Sequence, residues 1–171
     1  FADEAGAFPG RFAADVIRQP AEFEIDLRAG NGNIVFIENA AAFMADLWDE
    51  YCGRLNAELA AYFAGLRPRY RTAILSNSFI GARAQEQARY GFGDLCDLII
   101  YSHEVGLEKP DPRIYALTAA RLGLAPAEIV FLDDVEAAVA AARACGWHAV
   151  QFHTTAQAIA ELEACLTSAE C

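Results

Sequence analysis

Three short segments of this 171-residue chain carry side chains that could act together. The apolar run Thr72–Leu75 leads into Ser76-Asn77-Ser78, whose hydroxyl and amide groups can hold an oxyanion; either serine could equally cap the helix beginning near Ile80. A second run, Ile129–Leu132, ends in Asp133-Asp134. Adjacent carboxylates repel unless a cation or a donor neutralises them, and such hard oxygens suit Mg²⁺, although one aspartate would serve as a helix cap. Between them lies Gly106-Leu107-Glu108-Lys109-Pro110-Asp111-Pro112, where two prolines restrict the backbone around Lys109, the single lysine among 13 basic residues. A hydroxyl–amide pair, a fixed ammonium and an acidic pair are the parts phosphoryl transfer needs for positioning, charge neutralisation and a metal bridge.

These segments need a scaffold that brings them to one edge. From Arg71 onward, short aliphatic runs alternate with helical stretches, which predicts βαβ units and a parallel sheet. Strands are expected at Thr72–Leu75, Leu98–Tyr101, Ile129–Leu132 and Ala149–Phe152, with helices at Ile80–Tyr90, Pro112–Leu122, Glu136–Cys145 and Thr155–Leu166. Ligands of open α/β sheets bind beyond the carboxyl ends of the strands, which is where all three segments fall. Between Phe8 and Gly65 the pattern is mostly helical. Ala41, Phe43, Met44, Leu47, Trp48, Tyr51 and Leu55 recur at spacings of three and four, and Leu59, Tyr62 and Phe63 continue the stripe. Gly30-Asn31-Gly32-Asn33 reads as a turn, and Ile34–Ile37 as a short buried strand or a helix start.

Composition narrows the partners. With 24 acidic against 13 basic residues the net charge is −11, which repels nucleic acid, and no apolar stretch is long enough to span a bilayer. Five scattered cysteines without metal-site spacing fit a reduced cytoplasm. His103 follows the strand Leu98–Tyr101 within reach of the rim, whereas His148 lies at a strand entrance on the opposite side.

The three segments, in order, resemble the haloacid dehalogenase (HAD) superfamily of hydrolases, in the branch with a helical cap. Ile74–Ser78 looks like its second motif and Gly106–Tyr115 its third. Val130–Asp134 with Ala141–Gly146 looks like the fourth. Ser76 and Lys109 are 33 residues apart, and Lys109 and Asp134 are 25 apart. The resemblance implies an α/β fold: a Rossmann-like core with a parallel sheet at 66–171, preceded by a small helical cap at 1–65. It further implies a Mg²⁺-dependent phosphatase of a small phosphorylated metabolite, monomeric or homodimeric, without nucleic-acid or membrane partners. Ser76 would bind the transferring oxygen, Asn77 would orient nucleophile or substrate, and Lys109 would neutralise the phosphate. Asp134 would coordinate Mg²⁺, supported by Asp133 through a metal-bound water or as an outer partner.

The family's first motif, an Asp-x-Asp that supplies nucleophile and acid/base, has no counterpart before Leu66. In the capped branch its strand precedes the cap, so it is expected upstream of Phe1, making the chain a hydrolase remainder that is inactive alone. Removing that strand would split the sheet and leave backbone groups unpaired, so a stable fold without it needs a replacement. Two alternatives stand beside this one: Ile34–Ile37 fills the slot with Glu38-Asn39 as a degenerate motif, or the scaffold is a non-catalytic relative that binds a phosphorylated ligand or a protein. Among enzymes, a 2-haloacid dehalogenase ranks second, on the spacing of Lys109 and Tyr115. A signalling receiver domain has the same residue types, but there the acidic pair comes first and Lys-Pro last, the reverse of the order here.

Overall fold

The computed structural model describes residues 18–19 and 40–168; the Gly30–Asn33 turn, the Ile34–Ile37 run and Glu38-Asn39 lie outside the described residues. Four parallel strands form the centre. β3 (Ala73–Ser76) pairs with β4 (Leu98–Tyr101), and β5 (Val130–Asp133) with β6 (His148–Gln151); ahead of them, β1 (Arg18–Gln19) pairs antiparallel with β2 (Arg54–Leu55). Each parallel pair is in register over four residues, so Ser76 stands opposite Tyr101 and Asp133 opposite Gln151. Consecutive residues Ile74, Leu75 and Ser76 are all buried, as expected of a strand covered on both faces.

Among the described residues no strand joins the two pairs. Between them lies a cavity of about 460 Å³ lined by Ile74 and Leu75 of β3, Phe131 and Leu132 of β5, and Phe63 and Leu162. Among the described residues the sheet is thus two separate parallel pairs. The cost is a row of backbone groups on each facing edge with no strand partner among the described residues.

Eight α-helices are described: α1 (Ala40–Cys52), α2 (Ala57–Gly65), α3 (Ala82–Tyr90), α4 (Phe92–Leu95), α5 (Ser102–Val105), α6 (Pro112–Leu122), α7 (Glu136–Ala144) and α8 (Thr155–Ser168). α6 illustrates how locally they are specified. Asp111 accepts the Arg113 N–H as N-cap, Pro112 occupies the first turn, and Gly123 closes the helix in the left-handed region at φ 68°. Ile114, Tyr115, Thr118, Ala119 and Leu122 then fall on one buried face, where Tyr115 meets Phe131 and Trp147 edge to face.

Two differences from the sequence reading have local causes. The long helical stripe breaks after Cys52, because Gly53 turns the chain at φ 58° and Asn56 starts a new helix by accepting the Leu59 N–H. The helix expected from Ile80 begins at Ala82, because Gly81 sits at φ 98°, outside helical space. α2 docks on α8 through Asn56 to Thr155 (2.9 Å) and Tyr62 to Glu163 (2.8 Å). α1 instead packs Trp48 and Cys52 against Ala82 and Tyr101.

Candidate functional site

The residues that follow the strands' carboxyl ends meet across the gap between the two strand pairs. Lys109 Nζ donates to the Leu75 carbonyl of β3 at 2.9 Å and to Asp133 Oδ2 at the end of β5 at 2.7 Å. One ammonium thus ties together the two halves of the split sheet. The pair is almost dry, with side-chain exposures of 3% for Lys109 and 0% for Asp133. Taking two charges out of water costs several kcal/mol each, so their attraction must be supported by further hydrogen bonds. Those bonds are present: Asp133 Oδ1 accepts the Val135 N–H at 2.9 Å, and the Phe131 ring lies 5.6 Å from the ammonium.

Lys109 owes its position to Asn77. The Asn77 side chain donates to the Lys109 carbonyl and accepts the Lys109 N–H, both at 2.8 Å, as a strand neighbour would. This pins the proline-bounded loop to the end of β3, 32 residues earlier in sequence. Ser76 is fully buried beside it, its hydroxyl donating to the Asn77 carbonyl over a long 3.3 Å. Ser78 is held from the other side. Its N–H donates to Ser102 Oγ at 2.8 Å, Ser102 Oγ donates back to its carbonyl at 3.2 Å, and its hydroxyl bonds His103 Nδ1 at 2.8 Å.

Ser76, Asn77, Lys109 and Asp133 are thereby linked through hydrogen bonds and chain adjacency. Asp134 is next in the chain and half-buried, its carbonyl accepting from Gln151 Nε2 at 3.3 Å. Each Asp133 carboxylate oxygen is taken, by Lys109 and by Val135, which leaves the Asp134 carboxylate as the one that could hold a cation. A carboxylate oxygen is a hard donor of the kind that suits Mg²⁺. Among the described residues no group of three or more His, Cys, Asp or Glu gathers. A Mg²⁺ there would draw its remaining oxygens from water, substrate or residues outside 40–168.

Sequence reasoning passed over Ser102 and the backbone partners Leu75 and Val135, and found in His103 only a residue near the rim. The missing signal is α5, a single turn between β4 and Gly106 that is too short to register as periodicity. Tyr115, singled out by its distance from Lys109, is withdrawn into the core. Its hydroxyl donates to the Ala138 carbonyl at 2.9 Å, and burial, then the Asp133 charge, push its ionisation well above the usual range. His148 starts β6, at the end away from these residues. Cys96 and Cys145 are free thiols, and burial pushes Cys96 up to about 11. No helix among the described residues is long and apolar enough to cross a membrane.

A parallel α/β core with this edge is the Rossmann-like arrangement of a hydrolase class. The sequence model for haloacid dehalogenase-like hydrolases matches residues 3–146, and the chain belongs to that family. A phosphoserine phosphatase of Thermus thermophilus is 32% identical over 98 residues, 56% of this chain and 39% of the relative. Two solved structures share the fold. A HAD family enzyme of Bacteroides thetaiotaomicron, in complex with magnesium and inorganic phosphate, has a TM-score of 0.62 at 19% identity, covering 72% of this chain and 64% of its own. The L-2-haloacid dehalogenase of Xanthobacter autotrophicus, with chloropropionic acid covalently bound, has a TM-score of 0.56 at 31% identity, covering 67% and 47%. The aligned stretch spans 9% to 39% of the length of eight curated relatives.

Proposed function

We propose that the chain is the capped part, with most of the core, of a Mg²⁺-dependent phosphatase that hydrolyses a small phosphorylated metabolite in the cytoplasm, as a monomer or homodimer. The observation that carries this reading is the buried Lys109 ammonium bridging the ends of β3 and β5 through the Leu75 carbonyl and Asp133. Phosphoryl transfer needs charge neutralisation and positioning more than covalent chemistry from the protein, and those are what this edge offers. In this reading the strand bearing the nucleophile fills the cavity between β3 and β5 and comes from outside the described residues. The division into a cap at 1–65 and a core at 66–171 is part of the same proposal.

The chain's own residues have distinct tasks. Ser76 exchanges its long bond to the Asn77 carbonyl for a phosphoryl oxygen. Lys109 neutralises the phosphate and the attacking carboxylate. Asn77 acts through Lys109, whose loop it holds, and Asp133 fixes the ammonium while orienting the turn at Val135. Asp134 would hold Mg²⁺, which when bound supplies Lewis-acid stabilisation of phosphoryl charge.

Dehalogenation is the second reading, favoured by the 31% identity to the Xanthobacter enzyme. Against it, the Tyr115 hydroxyl is committed to Ala138 and buried in the core. The test is hydrolysis of an aryl phosphate and of 2-chloropropionate by the full-length polypeptide, with and without Mg²⁺, alongside residues 1–171 alone. The expected result is Mg²⁺-dependent phosphate release by the full-length protein, lost in Lys109→Ala and Asp134→Ala and absent from 1–171. Turnover by 1–171 alone would place the nucleophile inside it. Halide release without phosphate release would favour dehalogenation, and neither activity would leave a binding protein.

A further inference from the structure

Ser102 has no task in the hydrolase reading, yet it grips the main chain of the site at two places. β4 ends at Tyr101 and the chain turns at once into α5, so from Ser102 onward the β4 main chain no longer runs beside β3. Ser102 is buried, and its side chain continues the pairing instead: Oγ accepts the Ser78 N–H at 2.8 Å and donates to the Ser78 carbonyl at 3.2 Å. In a parallel pair the main-chain groups of alternate residues face the partner strand. The Thr72 carbonyl accepts the Asp97 N–H on the β4 side at 2.9 Å, and Ser78 is held from that same side, whereas the Leu75 carbonyl faces the gap and takes the Lys109 ammonium. The Ser102 clamp therefore carries the alternation of β3 past its end at Ser76, through Asn77. The Ser102 carbonyl also accepts the Gly106 N–H at 2.9 Å, where the loop bearing Lys109 begins. Together with the two bonds between Asn77 and Lys109, these contacts close a ring: Ser102 to Ser78, Asn77 to Lys109, and Gly106 back to Ser102.

We propose that Ser102 is a positioning residue of the hydrolytic reaction: its hydroxyl fixes the main chain at Ser78 and, through it, the setting of Ser76 and Asn77 against Lys109. A hydroxyl suits this place because it donates and accepts at once, and so takes both main-chain groups of Ser78. Without it, the segment 76–78 keeps the Asn77 bonds to Lys109 and the Ser78 bond to His103, all made by side chains that can rotate. The Ser76 hydroxyl then loses its fixed place, and a misplacement of about 1 Å at a reacting group can cost on the order of 100-fold in rate. The charge of Lys109 is untouched, so attraction of the substrate dianion persists, and the loss falls on turnover. The proposal rests on the reading that this edge transfers a phosphoryl group, and it adds to that site a residue outside the three segments that define it.

The test is steady-state hydrolysis of an aryl phosphate with Mg²⁺ by the full-length protein, with urea unfolding of each variant. Ser102→Ala is expected to lower kcat roughly 10- to 100-fold while KM changes less than about threefold, and Ser102→Thr, which keeps the hydroxyl, is expected to recover most of that loss. In a Ser76→Ala background the same Ser102→Ala change is expected to cost about twofold or less, because residues that act through one another are not additive. Ser102→Cys, close in size and a weaker hydrogen-bonding group, is expected to give an intermediate loss and replaces Ser102→Ala if that variant does not fold. A loss of stability in Ser102→Ala with wild-type kcat would overturn the proposal. So would an undiminished loss in the Ser76→Ala background, or a threonine variant no better than the alanine one. Wild-type protein that releases no phosphate would sink the phosphatase reading and this proposal with it; phosphate release that needs Lys109 but ignores Ser102 would sink the proposal alone.

Discussion

The two halves of the split sheet bring opposite chemistry to one edge. The β3–β4 half ends in hydroxyl, amide and imidazole groups, Ser76, Asn77, Ser78, Ser102 and His103, tied together by hydrogen bonds. The β5–β6 half ends in two carboxylates, Asp133 and Asp134, with no neutral counterpart. In the proposed phosphate site neither half would suffice alone, since one lacks charge and the other repels an anion. Lys109 resolves this because its loop hangs from the β3–β4 half through Asn77 while its ammonium reaches the acidic half. The site is therefore a property of the contact between the halves.

Cutting that link should have the largest effect. Lys109→Met leaves Asp133 charged and buried, and is expected to cost about 3–5 kcal/mol in urea unfolding and to abolish turnover. The double variant Lys109→Met/Asp133→Leu should lose less stability than the single one while remaining inactive; equal or greater loss would deny the buried-charge explanation. Asn77→Ala removes both bonds that hang the loop from β3, and about 1–3 kcal/mol is expected from the same measurement. Its loss of turnover should exceed what the stability change explains. Tyr115→Phe, which removes one buried bond within the core, should cost about 1 kcal/mol and leave turnover unchanged. A large fall in turnover would revive dehalogenation.

The smallest effect is expected from the ion pair at the solvent side of the same loop, Asp111 with Arg113, at 2.6 Å. Arg113 holds the Asp111 carboxyl down at about 2. A depressed carboxylate contributes stability that is present above its unfolded value of roughly 4 and is lost as pH falls through the folded one. Arg113→Ala should therefore lower stability slightly at pH above roughly 4, neutral pH included, with the difference from wild type vanishing as pH falls toward about 2 and activity nearly unchanged. A shift at pH 7 comparable to that of Lys109→Met would erase the distinction between the buried and exposed pairs.

Much of this was legible in sequence because it is local. The four central strands and the helix Pro112–Leu122 follow from runs, caps and glycines within a dozen residues of each other. Ser76, Asn77, Lys109 and Asp133 stood out by type and position, and α5 did not, being one turn long. The break of the stripe at Cys52 was signalled by Gly53 and Asn56, yet periodicity counted across them.

Residue order alone thus determined which elements form and that a hydroxyl, an amide, a lysine and an acidic pair follow strand ends, because caps, turns and apolar spacing act over a few residues. What tertiary structure decided was pairing: that Asn77 holds the Lys109 backbone, that the ammonium is shared between Leu75 and Asp133, that Tyr115 turns into the core, and that a cavity separates the two strand pairs. Those contacts join residues 23 to 34 positions apart, or separate strands more than 50 apart. They depend on how buried polar groups find partners once the whole chain has closed around them, which no local pattern encodes.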